Sequence, residues 1–305
     1  MNTKEVITLG SEFLSSLSGH VFDLLTVTKP VSPNAALNLA RIIHKLSPLV
    51  GNLIEFNVVE FLNAKREFEG WGRWVRQDPG FPDTIFEGRV RPTPGFEIKA
   101  WFPLATEITG RFRDSQNHFV DDRTYVCLVA WLPDKLIYGK PYILDVVVVP
   151  GLSVAKARDD HYHNPPDYIV LEPEDTTSRT PNLQQTNTAG YKFQSGPENF
   201  REAQKIVASW GPTGKEYRPT REYQMKLREL TSRYTYRLDT NYAKMDRIVH
   251  DGIEAFKARV CGTAVNGMTV RDWTHLFASD DEVRIRSALK DNLAIKEGAA
   301  ERLRG

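Results

Sequence analysis

Pro82-Asp83 is followed, after thirteen intervening residues, by Glu97-Ile98-Lys99. Side chains alternate along an extended segment, so Glu97 and Lys99 share one face of GFEIKAW (95–101) while Ile98 takes the other. A turn or strand ahead of that segment can bring Asp83 alongside Glu97. Two close carboxylates repel, and a hard divalent cation between them is the simplest relief. Mg²⁺ suits such a pair, because it binds through one or two carboxylates, keeps several waters and accepts phosphate oxygens as further ligands. A lysine two residues along can then hold or activate the attacking water and neutralise charge developing on phosphorus. The competing reading is an ordinary amphipathic strand whose Glu97 and Lys99 form a surface ion pair. Two other Pro-Asp pairs, Pro133-Asp134 and Pro166-Asp167, have no E-x-K or D-x-K at a suitable distance downstream.

Elements must hold these groups in place. Ser32-Pro33-Asn34 opens a helix over AALNLARIIHKL (35–46), whose apolar residues recur at spacings of three and four. Ser47-Pro48 breaks it, and a second amphipathic helix follows over 49–68. Val50, Leu53, Ile54, Val58, Phe61 and Leu62 form its broad apolar face, Asn57 falls within that face, and Glu55 and Glu60 flank it. From Gly70 the chain is rich in Gly, Pro, Arg and aromatics, which predicts turns and short strands. Three strand-like runs come next, at 95–103, 123–133 and 141–151. The last two are β-branched and bounded by Pro or Gly, as strands of a buried sheet should be. Between the first two lies a polar connection, 105–119. Residues 152–200 read as a long polar loop region, and 201–260 and the tail return to helical texture. The expected fold is α/β (α+β), a central mixed sheet flanked by helices. It is read as one domain, with a helical part at 1–69, a core with its loops at 70–200 and a helical part at 201–305.

At Pro82-Asp83 and Glu97-Ile98-Lys99 the chain resembles the PD-(D/E)XK nuclease superfamily, and within it type II restriction endonucleases. The resemblance covers about twenty of the 305 residues. It implies Asp83 and Glu97 as metal ligands, Lys99 as the catalytic lysine, and Mg²⁺ as cofactor with Mn²⁺ as a substitute. It also implies a mixed sheet flanked by helices, and a homodimer cutting double-stranded DNA at a palindrome. Several such enzymes add a carboxylate from a helix ahead of the Pro-Asp element. Glu55 and Glu60 both qualify, and Glu55 is preferred. Glu87 is a further acidic residue near the motif.

Two segments carry the side chains that read bases. Arg111, Arg113, Ser115, Gln116 and Asn117 follow the Glu97–Lys99 strand. Arg pairs bidentately with guanine, and Asn or Gln with adenine, in the major groove. This stretch also resembles the arginine-serine-aspartate segment that follows the catalytic strand in some restriction enzymes. The second segment is SRTPNLQQTNTAGYKFQ (178–194), which presents Arg179, Asn182, Gln184, Gln185, Asn187 and Lys192 with no acidic residue among them. The alternatives are a solvated helix start for the first and a polar packing loop for the second. TSRYTYR (231–237) can track the phosphate backbone. In ARDDHYHN (157–164), His161 and His163 alternate on one side if extended, beside Asp159 and Asp160, but the spacing fits no HNH or zinc pattern.

Bulk properties narrow the field. A net charge of +1 is unlike that of a protein that only coats DNA. No run approaches the roughly 18–20 apolar residues that span a bilayer, and the first residues lack a secretory signal. Two cysteines far apart, Cys127 inside an apolar run and Cys261, suit a reducing cytoplasm. No GxxxxGK[ST] loop for a nucleotide is present. Three functions follow as expectations: a cytoplasmic type II restriction endonuclease, a related nuclease of repair or mobile-element type without sequence-specific cleavage, or a non-catalytic DNA-binding protein.

Overall fold

The computed structural model describes residues 1–77, 80–104, 119, 122–163, 190–193, 197–212, 214, 220–233, 236–239 and 249–295. The chain forms two compact units, one of residues 1–108, 123–150 and 251–305, the other of 109–122 and 151–250.

The first unit opens with three helices, α1 (Thr3–Ser15), α2 (Pro33–Ile42) and α3 (Ser47–Asn63). Asn2 and Glu5 close a capping box on α1. Ser32 accepts from the Ala35 N–H at the start of α2, with Pro33 in the first turn where its missing N–H costs nothing. The two helices expected at 35–46 and 49–68 are therefore present. The first passes into a 3₁₀ turn at Ile43–Leu46, and the second runs from Ser47 and stops at Asn63, short of the expected 68, with a separate 3₁₀ turn at Arg66–Phe68 after the extended Lys65.

Five strands follow: β1 (Gly72–Arg76), β2 (Thr84–Gly88), β3 (Gly95–Trp101), β4 (Thr124–Lys135) and β5 (Tyr138–Pro150). They form a sheet in sequence order, antiparallel throughout except for the parallel pair β3–β4. A parallel pair cannot be joined by a tight hairpin, which accounts for the long connection across 102–123. Helices cover both faces. Phe96 stacks on Trp74 at 4.9 Å, with Phe68 and Phe86 packed around them. Helix α1 lies so close over this cluster that a Cβ on Gly10 would stand 2.9 Å from the Phe96 ring. Trp101, five residues along β3 and so on the opposite face, packs on Phe256 of a later helix. The free edge of β1 is capped by Asn63, whose amide accepts the Trp74 N–H at 2.8 Å and donates to the Trp74 carbonyl at 2.9 Å.

The second unit contains helices α4 (Gly151–His163), α5 (Pro197–Ser209) and α6 (Arg221–Arg233), and an antiparallel ribbon of β6 (Gly190–Phe193) and β7 (Tyr236–Asp239). Two expectations are corrected here. The polar stretch after Gly151 is a helix rather than loop, since SVAKARDD lacks Pro and Gly and is rich in helix formers. The helical run expected from 201 to 260 is broken by β7, where Tyr-Arg-Leu-Asp follows a Thr- and Tyr-rich stretch that favours extended backbone.

The chain then returns to the first unit with α7 (Asp251–Gly262), which carries Phe256, a short hairpin of β8 (Ala264–Val265) and β9 (Met268–Thr269), α8 (Val270–Phe277) and α9 (Glu282–Leu293). The hairpin turns on Asn266-Gly267, both with positive φ, as a two-residue connection of this twist requires. The architecture is α+β, a mixed five-stranded sheet flanked by helices. No helix among the described residues is long and apolar enough to cross a membrane.

Candidate active site

The β2–β3 pairing begins at Thr84–Phe96, so the next step of the register sets Asp83 beside Glu97. The loop between β1 and β2 is closed around Asp83. The Gln77 N–H donates to the Asp83 carbonyl at 2.8 Å, and the Gln77 amide nitrogen, turned toward the loop, reaches the Pro82 carbonyl at 3.0 Å. Gly95 makes the close approach possible. A Cβ there would meet the Pro82 ring at 2.4 Å and the Thr84 carbonyl at 2.9 Å.

Backbone and side chain interlock at this corner. Asp83 Oδ2 accepts the Ile98 N–H at 2.7 Å, standing in for a further rung of the ladder, and Glu97 Oε2 accepts the Asp83 N–H at 3.2 Å. Lys99 Nζ lies 2.5 Å from Glu97 Oε1, 3.2 Å from Asp83 Oδ2 and 3.1 Å from the Ile98 carbonyl. The expected same-face placement of Glu97 and Lys99 therefore holds, and Asp83 joins them. The pairing is not a surface one: Glu97 is 7% exposed, and Lys99 and Asp83 are about one-fifth exposed, at 21% and 20%.

Of the two helical candidates, Glu55 reaches the cluster and Glu60 does not. Glu55 is half-buried and pairs with Arg76 at 3.4 Å, whereas Glu60 is exposed. Glu87 is exposed as well, 3.9 Å from Arg73. Arg76 is a member that the motif does not announce. Strand alternation does not point to it, since the register sets Arg76 opposite Thr84 on the Phe96 side of the sheet, and it enters through its pairing with Glu55.

Three carboxylates thus face two cationic side chains, and the electrostatics follow from that excess. Burial, then the neighbouring Asp83 charge, pushes the Glu55 carboxyl up, against the pull of Lys99 and Arg76. Burial also raises Glu97, where Lys99 only partly offsets it. Lys99 moves the other way from what burial alone would dictate. Burial lowers it, but Glu97 and Asp83 more than compensate, so its ammonium stays charged above the ordinary lysine range.

The donor set suits a hard cation. Asp83, Glu97 and the Ile98 carbonyl present oxygens that already converge on one positive centre, the Lys99 ammonium. Among the described residues, no three His, Cys, Asp or Glu side chains enclose a metal position. Mg²⁺ takes one or two carboxylates and keeps its waters. Asp83 and Glu97 are the residues that would hold it, with Glu55 at the rim. Comparison with protein-family models, curated proteins and solved structures returned no match.

The residues expected to read DNA are placed less fully. Arg111, Arg113, Ser115, Gln116 and Asn117, and likewise Arg179, Asn182, Gln184, Gln185 and Asn187, lie outside the described residues. Lys192 is on β6, where the register sets it opposite Arg237 of β7, so two basic residues share one position of the ribbon. In 231–237, Arg233 is exposed and paired with Glu229. His161 and His163 lie on the last turn of α4, not on an extended segment. The alternation of an extended segment therefore does not apply to them. Cys127 and Cys261 are both free thiols, and burial pushes Cys127 up to about 12.

Proposed function

We propose that this chain is a Mg²⁺-dependent type II restriction endonuclease, hydrolysing phosphodiester bonds of double-stranded DNA at a specific site. The observation that carries the reading is the buried convergence of Asp83, Glu97 and Lys99 at the β2–β3 corner, with a half-buried Glu55 beside them. Carboxylates so placed carry a cost that an ordinary structural corner avoids, and clustered perturbed groups of this kind mark functional sites.

In this reading Asp83 and Glu97 hold the cation through their carboxylates, and the Asp83–Ile98 hydrogen bond keeps the pair in register with the strand. Bound Mg²⁺ supplies Lewis-acid polarisation of the phosphoryl oxygen and lowers the pKa of its water. Lys99, kept protonated by its neighbours, acts as a donor. It orients the attacking water or a phosphate oxygen and opposes the negative charge that builds on phosphorus. Glu55 lends a further carboxylate at the rim, and Arg76 fixes its direction. The polar segments at 111–117 and 179–192 supply base contacts, with Mn²⁺ able to replace Mg²⁺, in a cytoplasmic enzyme that needs no nucleotide.

One observation favours a second reading. Lys99 already satisfies Asp83, Glu97 and the Ile98 carbonyl together, as a purely structural staple between β2 and β3 would. The two readings part in one assay. The purified protein and an Asp83→Asn variant are incubated with a long, fully sequenced, unmethylated DNA in Mg²⁺ or in EDTA. Discrete fragments that need Mg²⁺ and vanish in the variant are expected, and mapped ends give the target. A Mg²⁺-dependent smear keeps the active site but points to a repair or mobile-element nuclease. No cleavage by the folded protein leaves the staple.

A further inference from the structure

Helix α3 carries two apolar faces, and the core uses only one. Val50, Ile54, Val58 and Leu62 are buried against the sheet and α1. About half a turn round the helix from them, Leu49 is 55% and Phe56 52% exposed, with the half-buried Leu53 between them and the exposed Asn52 alongside. Lys45, in the 3₁₀ turn just ahead of α3, and Glu60, near its far end, extend the same stripe at the i−4 and i+4 positions. Both are exposed, and neither has an ion-pair partner among the described residues.

The stripe reads Lys, Leu, Asn/Leu, Phe, Glu, and this order is complementary to its own reverse. Laid antiparallel against a second copy, it sets Leu49 against Phe56 of the other copy, and the centre falls between Asn52 and Leu53. Lys45 then meets Glu60 at both ends. A two-fold axis demands that residue i meet j while j meets i, and among the antiparallel registers that do so, this one pairs Lys45 with Glu60. A parallel pairing would set Lys45 against Lys45 and Glu60 against Glu60. We infer that the outer face of α3 is the surface through which two copies of this chain associate, as an antiparallel helix pair about a two-fold axis. The inference does not depend on the nuclease reading.

The contact spans about 22 Å of helix and buries roughly 800–1,000 Å² in total, below the size of standard stable interfaces. The dimer is therefore a weak one, with a dissociation constant in the micromolar range and a strong dependence on protein concentration. Sedimentation equilibrium of the full chain in EDTA, without DNA, tests it across roughly 1–200 µM. A reversible monomer–dimer equilibrium is expected. Phe56→Glu should weaken it by at least about 30-fold, and Lys45→Glu or Glu60→Lys alone by about tenfold. The double variant K45E/E60K should regain most of the loss, because the reversed charges meet again across the axis. All four changes are at exposed positions, and circular dichroism checks that the fold is kept. A monomer throughout the range overturns the inference, as does a dimer indifferent to Phe56→Glu. Failure of the double variant to recover overturns the antiparallel register. None of these outcomes touches DNA cleavage, so the nuclease reading stands or falls separately.

Discussion

The two sides of the sheet are built on opposite terms. On β4, from Val126 to Leu132, every side chain is apolar or a thiol and is essentially removed from water. The one ionisable group between Val126 and Leu132, Cys127, is held neutral by burial. Across β3, at the corner with β2, the same sheet buries two carboxylates and an ammonium within hydrogen-bond distance of one another. The first region stabilises the fold through area removed from water. The second gains little, because the attraction within a buried ionic cluster barely repays its desolvation, and a well-packed apolar trio would serve stability as well or better. Stability is concentrated on β4–β5, and charge on β2–β3. The corner therefore depends on its neighbours for rigidity and is free to be tuned for chemistry.

The largest effect expected comes from removing the ammonium. Lys99→Met should lower DNA cleavage by about 10³-fold, equivalent to about 4 kcal/mol of barrier. It also leaves Asp83 and Glu97 facing each other with no counter-charge, so the variant should lose roughly 3 kcal/mol of stability in EDTA. Because Lys99 occupies the oxygens that a cation would take, the variant should bind Mn²⁺ or Mg²⁺ more tightly than the parent, and recover stability on binding. Calorimetric titration with each metal and thermal unfolding with and without it check all three. Unchanged metal affinity would mean that the ammonium and the cation do not compete for these oxygens.

Next in size is the approach of the two strands. Gly95→Ala places a Cβ where the Pro82 ring and the Thr84 carbonyl stand, and forces Asp83 away from Glu97. A cost of about 2 kcal/mol in stability is expected, with cleavage reduced about 100-fold by misplacement of a reacting group. Gly51→Ala on α3 is the matched control. Its Cβ would lie 3.6 Å from the Ala100 Cβ, an ordinary contact, so helix propensity prevails and stability should rise by about 0.5–1 kcal/mol. If both variants keep full cleavage, the corner does not need the close approach.

Acid should switch the corner off before it touches β4–β5. Burial raises Glu97 and Glu55 above the ordinary glutamate value of 4.5, and a protonated carboxyl cannot hold the cation. Cleavage and metal binding should therefore fall as pH drops, with a midpoint above 4.5. The stability of the metal-free protein runs oppositely. A carboxylate whose pKa is raised on folding contributes most below its unfolded pKa, and the contribution is lost as pH rises through the folded value. Lys99, also raised, keeps its contribution until pH exceeds the ordinary lysine value of 10.5. Unfolding of the metal-free protein between pH 4 and 7 tests the sign: stability that rises with pH across that window, assignable to Glu97, contradicts it.

Much of the corner was legible in the sequence because a strand has a period of two. Once GFEIKAW is read as extended, the shared face of Glu97 and Lys99 follows, and a Gly at its start allows a close neighbour. What periodicity could not do was choose between Glu55 and Glu60, since both flank the apolar face and only the placement of α3 against the sheet separates them. Arg76 stayed hidden for the same reason: its partner is twenty-one residues away in sequence. The helix at Gly151–His163 was missed because its apolar residues, Leu152, Val154, Ala155 and Ala157, are confined to its first half, too short a run to reveal the 3.6-residue period. Of the second apolar stripe of α3, only Leu53 fell within the broad face expected from the sequence, and Leu49 and Phe56 lay outside it.

The smallest effect separates the two acidic residues of α3. Glu55→Gln removes a charge that burial and Asp83 both disfavour, so the metal-free protein should gain less than about 1 kcal/mol in stability, seen as a small rise in melting temperature. The loss of the Arg76 pairing at 3.4 Å works against this and keeps the gain small. Metal affinity should drop by about three- to tenfold if Glu55 lends its carboxylate at the rim, and cleavage with it. Glu60→Gln, on the outer face, should leave metal affinity unaltered. A variant at Glu55 that gains stability while losing metal affinity would tie the local cost of the charge to the job it does. Equal metal binding by both variants would return Glu55 to the flank of the helix and leave Asp83 and Glu97 as the whole ligand set.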